Sequence, residues 1–276
     1  MKTILVPIDF SKYSENALKV AADIAKKQDC EILALHMLEI ADTLLTKAEG
    51  NTQRELLFFI QLAEKRFDEL LNKEYLKGVR VTPIVKHFKI FNEVNDVVDE
   101  HNADLIIMGS HGSSGIKELF VGSNTEKVVR SSNIPVLVVK EEVTGPLFDK
   151  IVFASNFELE NINALKNVQQ FASNFNSNLQ LVYINTPGDN FKNSQEINNQ
   201  LQSFLSKTES PVDLSNVKVY NDYSIEKGIL NASEELDATL IAIPTHGRKG
   251  LAHFFNGSIS EDIANHSNLS VLTFKI

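Results

Sequence analysis

The sequence is poor in several residues and patterns that would point to particular classes of protein. Of its 276 residues, one is cysteine and none is tryptophan. Cys30 has no partner cysteine with which to form an internal disulfide, so the chain is not a disulfide scaffold and suits a reducing compartment. No apolar stretch approaches the roughly 18 to 20 residues that a membrane helix needs, and the first residues lack a signal-peptide pattern. We therefore expect a cytoplasmic protein with no membrane partner.

Blocks of positive charge and metal-ligand spacings are also missing from the sequence. The formal net charge is -9, and the lysines and arginines form no block. Because nucleic-acid phosphates are bound by a basic stripe, we expect no nucleic-acid partner. None of the seven histidines pair at helical spacing, which argues against a zinc site. A Gly-x4-Gly-Lys-[Ser/Thr] loop is missing, so the P-loop route to nucleotide hydrolysis has no support.

What the sequence does contain is an internal duplication. Ser110-His111-Gly112 recurs as Thr245-His246-Gly247 at an offset of 135 residues. Near the start of each half, the matching segments Ile4–Phe10 and Ile151–Phe157 are offset by 147 residues. The second copy is therefore shorter in its middle.

The junction between the copies lies at residues 141–146, where charge, glycine and proline indicate a linker. This organisation predicts two domains, residues 1–142 and residues 147–276. A length of 276 residues agrees with two domains better than with one.

Each copy contains five short runs of β-branched or aliphatic residues, with helical patterns between them. Several runs are apolar almost throughout, which is typical of parallel strands that are covered on both faces. The order predicts two Rossmann-like α/β domains, each with a five-stranded parallel sheet and helices on both faces. The predicted strands are Ile4–Ile8, Ile32–His36, Val79–Val85, Asp104–Met108, Ile134–Val139, Ile151–Ala154, Leu179–Ile184, Val217–Tyr220, Thr239–Ile243 and Ser270–Phe274.

Helical periodicity is clearest over Thr52–Leu76, where apolar residues recur at steps of three and four. Another helix is predicted to begin after Ser11 or Ser14, since either serine can cap its N-terminus. A third covers Asn92–His101. In the Asn-rich second copy, we interpret Thr186–Glu196 as a loop.

The segment after the fourth predicted strand carries the clearest chemical signal. From Gly109 to Ser123 the spacing is Gly-x2-Gly-x9-Gly-Ser, with the other glycines at Gly112 and Gly122. A strand that ends in glycines and leads into a helix presents backbone N–H groups and a helix N-terminus, which attract phosphate oxygens. A Cβ would hold the phosphate away, and a positive φ would be a second reason for glycine.

Polar side chains accompany this loop. Ser123 and Thr125, with Asn124 between them, place donors at the start of the next helix. His111 is expected to line the pocket as a donor or filler rather than as a catalytic base. Asp9 follows the first strand, whose carboxyl end faces the crevice where ligands bind, so its carboxylate can accept from ribose hydroxyls. The alternative is that Asp9 is a turn or capping residue for the following helix.

The first half resembles the universal stress protein family. The resemblance rests on Val6-Pro7-Ile8-Asp9, residues 103–112, Gly122-Ser123 and residues 133–139. It implies an adenine nucleotide α hydrolase-like fold. In the ATP-binding branch of the family, the glycine loop holds the phosphates and the strand-end aspartate lies by the nucleoside. The resemblance thus implies ATP, with or without Mg²⁺, or AMP or ADP, at Asp9, Gly109, Gly112, Gly122 and Ser123.

The second copy departs from this pattern at two positions. Pro244 replaces the first glycine, which removes a backbone donor and fixes φ, and Asn156 replaces the aspartate. Arg248 and Lys249 within the loop are alternative phosphate partners. We expect this copy to be a degenerate site that is kept for packing.

These expectations favour a stress-response factor that binds adenine nucleotide in its first domain and acts as a nucleotide-dependent regulator, with at most slow ATP hydrolysis. One alternative is a nucleotide-independent interaction module of the same family. Another is an enzyme of the related hydrolase fold group, which would need substrate-domain insertions that this compact chain lacks. The resemblance also implies that the two domains pair as an intramolecular pseudo-dimer, and it leaves a homodimer open.

Overall fold

The computed structural model describes residues 1–38, 49–87, 94–110, 123–140, 148–188, 191–209, 212–245, 263–264 and 267–276. This part of the chain divides into two compact units, one that runs to residue 140 and one that starts at residue 148. The predicted linker at residues 141–146 lies outside the described residues, so its boundaries stay a prediction.

The first unit is a parallel sheet with strand order β3-β2-β1-β4-β5, as predicted for a doubly wound domain. The chain moves outward from β1 to β3 and then returns to the other side of β1 to form β4 and β5. Its described elements are β1 (Thr3–Pro7), α1 (Lys12–Gln28), β2 (Glu31–Leu38), α2 (Glu49–Leu71), β3 (Val81–His87), α3 (Val94–His101), β4 (Leu105–Gly109), α4 (Ser123–Ser131) and β5 (Val136–Val139).

Helices cover both faces of this sheet. Leu5, Ile106 and Val138 share one buried cluster with apolar residues of α3 and α4. Helix α1 packs against β1, β2, β4 and β5, and its buried side chains include Leu18 and Ile24. Strands β1, β4 and β5 are buried along their whole length, which explains why they read as continuous apolar runs.

Strand β3 is different, because among the described strands it pairs with β2 alone. Thr82 and Pro83 are exposed on it. Proline has no N–H to donate to a neighbouring strand, so it is tolerated at a position of this kind.

The second unit repeats the arrangement with strand order β8-β7-β6-β9-β10, again with parallel pairs throughout. All ten predicted strands are therefore found, with ends that differ by a few residues at most. The described elements are β6 (Lys150–Ala154), α5 (Ile162–Phe175), β7 (Asn178–Asn185), α6 (Ser194–Leu205), β8 (Val217–Asn221), α7 (Ile225–Glu235), β9 (Leu240–Thr245) and β10 (Ser270–Lys275).

Two predictions need correction. The loop predicted over Thr186–Glu196 is wrong at its end, because α6 begins at Ser194. The Asn193 side chain accepts from the backbone of Glu196, whose carboxylate accepts in turn from the backbone N–H of Asn193, which forms a capping box. The long predicted helix ends at Leu71 rather than Leu76, and a separate 3-10 turn follows it. In the first of these cases, the same residue type that favours a turn also favours the start of a helix, because the Asn193 side chain caps the helix.

A left-handed phenylalanine follows the first strand of each unit. Phe10 has a φ of 62° and Phe157 a φ of 52°, a conformation that is costly for a bulky side chain. The Phe10 ring lies 4.7 Å from that of His36 and 5.1 Å from that of Phe67. Aromatic contacts of this kind add stability beyond area burial, so they offset part of the backbone strain.

The second unit builds the same cluster from its own residues. The ring of Phe157 lies 5.3 Å from that of Phe204 and 6.5 Å from that of Tyr183. Phe157 and Tyr183 are offset by 147 residues from Phe10 and His36. The duplication therefore preserves a tertiary contact as well as a strand pattern.

None of the described helices is both long and apolar enough to cross a membrane. Within the described ranges, no three His, Cys, Asp or Glu side chains are grouped so that they could hold a metal ion.

Candidate functional site

The candidate site lies where the strand order of the first unit reverses. Strands β1 and β4 are neighbours, with Ile4 opposite Leu105. From β1 the chain continues to β2 in one direction along the sheet, and from β4 it continues to β5 in the other direction. The carboxyl ends of the strands at such a switch point form a crevice in which α/β proteins bind ligands. Asp9 follows β1, and Gly109 is the last residue of β4. Topology thus brings two of the sequence-predicted residues to one edge.

Asp9 has a structural role in the turn after β1. Its Oδ1 accepts a hydrogen bond of 2.9 Å from the backbone N–H of Ser11. Ser11 then caps α1, because its Oγ accepts from the backbone N–H of Ser14 at 3.2 Å. Of the two predicted caps, Ser11 is the one that the structure uses, and the turn interpretation of Asp9 has direct support.

Gly109 is required by packing. A Cβ at this position would lie 2.7 Å from the backbone C and O atoms of Tyr13 in the first turn of α1. Gly109 is not among the described glycines with positive φ, so the expectation that a positive φ requires glycine does not hold at this position. The missing side chain lets α1 approach the end of β4 closely.

The first turn of α4 is tied to the same glycine. Thr125 is buried, and its Oγ1 donates a hydrogen bond of 2.9 Å to the Gly109 carbonyl. The hydroxyl proton is therefore used within the protein, while the oxygen keeps its capacity to accept. Asn124 is half-buried beside it, and Ser123 is the first residue of the helix. This bond holds the N-terminus of α4 against the strand end.

The other predicted site residues of the first copy, His111, Gly112 and Gly122, lie outside the described residues. The same holds for Gly247, Arg248 and Lys249 of the second copy. Their participation in a site stays a prediction.

His36 and Arg66 lie at the same edge, although the sequence did not single them out. The imidazole Nδ1 of His36 is 2.7 Å from the Ile8 carbonyl, which can only accept, so Nδ1 carries the proton. The Arg66 guanidinium lies 5.4 Å from the centroid of the Phe10 ring. The position of His36 near the end of β2, next to β1, was the available sequence signal, whereas Arg66 depends on how α2 packs.

The pKa of His36 is lowered from its usual value. Burial is the largest cause of this lowering, and the positive charge of Arg66 adds to it. The hydrogen bond to the Ile8 carbonyl and the negative charge of Asp9 raise the pKa and so oppose the lowering. The neutral imidazole is therefore favoured at this edge.

The corresponding place in the second unit keeps the turn and changes its surroundings. Asn156 Oδ1 accepts from the backbone N–H of Glu158 at 3.1 Å, as Asp9 does from Ser11. The backbone carbonyl of Asn156 also accepts a hydrogen bond of 2.6 Å from Nε2 of Gln200, on helix α6. Pro244 occupies the position of Gly109, in register with Phe274 of β10. A neutral amide and a proline thus stand where the first unit has a carboxylate and a glycine.

The helix after the first strand also begins differently in the two units. Tyr13 belongs to the first turn of α1, but its counterpart Glu160 lies in a 3-10 turn over Leu159–Asn161. Helix α5 begins only at Ile162. The later helix start accompanies the loss of the glycine whose missing Cβ permits the close approach in the first unit.

The fold and this edge together define a tandem pair of doubly wound α/β domains with a switch-point crevice. A profile of the Universal stress protein family matches residues 1–140 and again residues 147–275. The chain therefore belongs to the universal stress protein family and carries two copies of its domain in tandem.

Individual relatives agree with this membership. A universal stress protein of Methanocaldococcus jannaschii is 34% identical over 155 residues, which cover 51% of this chain and 96% of that protein. Universal stress protein G of Escherichia coli O157:H7 is 30% identical over 142 residues, or 50% of this chain and 99% of that protein. Each of these relatives thus matches about one half of the tandem chain.

Solved structures extend the likeness in fold to the whole chain. A universal stress protein from Archaeoglobus fulgidus is similar with a TM-score of 0.77 at 23% identity, and the match covers 99% of this chain and 98% of that one. At this level of identity the comparison supports the fold.

Replacing Gly109 with alanine tests the packing role of this glycine. Gly→Ala at an unstrained position ordinarily stabilises a protein by about 0.4 to 1 kcal/mol, because it restricts the unfolded chain. Here the new Cβ would meet the backbone of Tyr13, and we expect a loss of about 1 to 3 kcal/mol in the free energy of unfolding, measured with urea. A stabilised variant would contradict the close approach of α1.

His36 should make the protein less stable in mild acid. Its folded pKa lies below that of the unfolded chain, about 6.5, so the unfolded state binds the proton more readily. Stability should therefore fall as the pH drops below about 6.5, until the folded protein is protonated as well. His36→Asn keeps an N–H donor for the Ile8 carbonyl and cannot titrate. Urea unfolding from about pH 7.5 to pH 5.5 should show a shallower decline for this variant, and an equal decline would contradict the assignment.

Proposed function

We propose that the first unit binds an adenine nucleotide and that occupancy regulates the conformation or the partner choice of the protein. The observation that carries this proposal is the bond from Thr125 to the Gly109 carbonyl. It fixes the N-terminus of α4 at the end of β4, next to the strand that Asp9 follows. Backbone N–H groups at a helix N-terminus attract phosphate oxygens, and the crevice at a switch point is where nucleotides bind in this class of sheet.

The charge of Asp9 supports a ligand role beyond the turn. Asn156 makes the equivalent turn with a neutral amide oxygen, so the geometry of the turn does not demand a carboxylate. An ionised carboxylate is a stronger acceptor than an amide and suits a pair of ribose hydroxyls. The resemblance to the family implies a nucleoside beside this aspartate, which agrees with the chemistry.

The neutral state of His36 fits the same proposal. Its Nδ1 proton is used by the Ile8 carbonyl, which leaves Nε2 of the neutral ring as an acceptor. Arg66 contributes positive charge near Phe10 at this edge. A purine with its exocyclic amine and a phosphate group would be complementary to such an acceptor and such a cation.

We propose ATP, with or without Mg²⁺, as the ligand, with AMP and ADP as the other candidates. The proposal is one of binding rather than turnover. Rapid hydrolysis requires a positioned water and charge stabilisation at the γ-phosphate, and we assign no described residue to either task.

The second unit is proposed to have lost this site. It has Pro244 for the strand-end glycine and Asn156 for the aspartate, and Gln200 is hydrogen-bonded to the carbonyl of Asn156. We keep three further expectations as predictions: a cytoplasmic location, the pairing of the two domains as a pseudo-dimer, and domain boundaries at residues 1–142 and 147–276.

A second candidate is a nucleotide-independent interaction module. It is favoured by exposed apolar side chains on α2, where Leu57, Phe58, Phe59 and Leu62 are between 37% and 61% exposed. Contiguous apolar surface of this kind often marks a site of protein contact. The two candidates are separated by whether nucleotide binds at all.

Asp9→Asn is the sharpest test of the proposed site. The asparagine keeps the acceptor for the Ser11 N–H, as Asn156 does in the second unit, and replaces the other carboxylate oxygen with a neutral NH2 group. We expect the affinity for Mg²⁺-ATP to fall about tenfold in calorimetric titration of nucleotide-stripped protein, because a charge-assisted hydrogen bond is lost.

The reciprocal variant Asn156→Asp is the matched control. It should leave ATP affinity unchanged, and both variants should melt near the temperature of the original protein. Unaltered ATP affinity in Asp9→Asn, or loss of affinity in Asn156→Asp alone, would contradict the proposed site. Absence of binding at millimolar ATP in the original protein would favour the interaction module.

A further inference from the structure

A cavity of about 430 Å³ lies in the second unit at the carboxyl ends of β7 and β8. Its volume is within the range of small-molecule sites, and ligands in parallel α/β sheets bind at this end of the strands. Asn156, which follows β6, is not among the described residues that line it. The described residues that line the cavity are Asn185, Thr186, Pro187, Phe191, Asn221, Asp222 and Tyr223.

The cavity is held in shape by the buried side chain of Asn185. Its Nδ2 donates to Oδ1 of Asn221 at 3.0 Å and to the Lys192 carbonyl at 3.2 Å. Its Oδ1 accepts from the backbone N–H of Lys192 at 3.2 Å. The Asn185 carbonyl also accepts from the backbone N–H of Asp222 at 3.1 Å. One amide thus joins the segments on both sides of the cavity, which preorganises it for a ligand.

Two aromatic walls are unusually open to solvent. Tyr223 is 89% exposed and Phe191 is 59% exposed, although side chains of this size bury large apolar areas when they pack in a core. Pro187 adds apolar surface to the same cavity. Both rings are therefore available to a bound molecule.

The polar part of the lining is acidic. The Asp222 carboxylate accepts from the Tyr223 N–H at 2.6 Å through Oδ1 and from Nδ2 of Asn231 at 2.8 Å through Oδ2. A carboxylate has about four lone-pair sites, so each oxygen retains capacity for a ligand donor. Among the described lining residues there is no lysine or arginine, and the neighbouring Lys192 ammonium donates to Gln200.

The nearby helix N-termini do not turn the cavity into an anion site. Helix α6 has a capping box between Asn193 and Glu196. Helix α7 is capped by Ser224, whose Oγ accepts from the backbone N–H of Lys227 at 3.2 Å, and it carries Glu226 in its first turn. Each of these helix starts therefore has its own acceptor and a carboxylate, which disfavours a phosphate.

We propose that this cavity binds a small organic cation of the alkylammonium class. Aromatic faces attract ammonium groups through the ring quadrupole, and quaternary ammonium ions in particular are recognised by aromatic side chains. Phe191 and Tyr223 supply the rings, and Asp222 supplies the opposite charge. The site is independent of nucleotide binding in the first unit, so either proposal can fail without the other.

The test is a titration of the full chain with choline, in which binding is measured by NMR chemical shifts and by calorimetry. Choline should bind with saturation at millimolar concentration, and its neutral isostere, in which carbon replaces the nitrogen, should bind at least about fivefold more weakly. Equal binding of the isostere would overturn the proposal, because the cavity would then be merely apolar. Binding of adenosine in place of choline, or no binding of choline at millimolar concentration, would overturn it as well.

Variants locate the site. Tyr223→Ala and Asp222→Asn should each weaken choline binding about fivefold, since the first removes a ring and the second the charge. In Asp222→Asn the Oδ1 acceptor for Tyr223 is kept, and Asn231 can present its own Oδ1 to the new amide. Phe58→Ala, an exposed phenylalanine of the first unit, is the matched control and should leave binding unchanged. Melting temperatures report folding, and choline binding that survives both cavity variants contradicts the assignment.

Discussion

The turn after the first strand of each unit is the constraint on which the rest of the site depends. At Phe10 and Phe157 the backbone enters the left-handed region, which costs a bulky residue of the order of 1 to 2 kcal/mol. An aromatic cluster holds each phenylalanine in place, and an Asp or Asn side chain closes the turn. In the first unit this geometry lets Ser11 cap α1 and brings Tyr13 against Gly109. The position of the strand-end carboxylate follows from the same turn.

The two copies show which parts of this arrangement the fold needs and which it does not. Both retain the left-handed phenylalanine and its aromatic partners, so these belong to the scaffold. The carboxylate and the strand-end glycine are kept in the first copy alone, where Thr125 also ties α4 to Gly109. The second copy has a neutral amide, a proline and a 3-10 turn instead, and still folds as a five-stranded sheet. The two copies therefore differ at the crevice in the residues that would contact a ligand, as expected if one copy alone binds it.

Much of the fold could be predicted because buried parallel strands appear as apolar runs and because the repeat fixed the domain count. Ser11 was recognisable as a cap for a local reason, the capacity of its hydroxyl to accept from the first turn. The left-handed Phe10 could not be predicted, since its propensity disfavours that conformation and its partners His36 and Phe67 come from distant elements. The packing role of Gly109 was likewise hidden, because it depends on where α1 lies. The sequence singled out Asp9 and Gly109 as site candidates and offered a turn role for Asp9 as the alternative, but the hydrogen bond that makes this turn is visible only in the tertiary structure.

The proposed function implies that duplication gave two scaffolds and one nucleotide site. Native mass spectrometry of the full chain with saturating ATP measures this most directly, because it counts the nucleotides that are bound to each molecule. The account predicts one ATP per chain. Two would show that Asn156 and Pro244 do not abolish the second site, and none would show that the crevice beside Asp9 and Gly109 is not a nucleotide site.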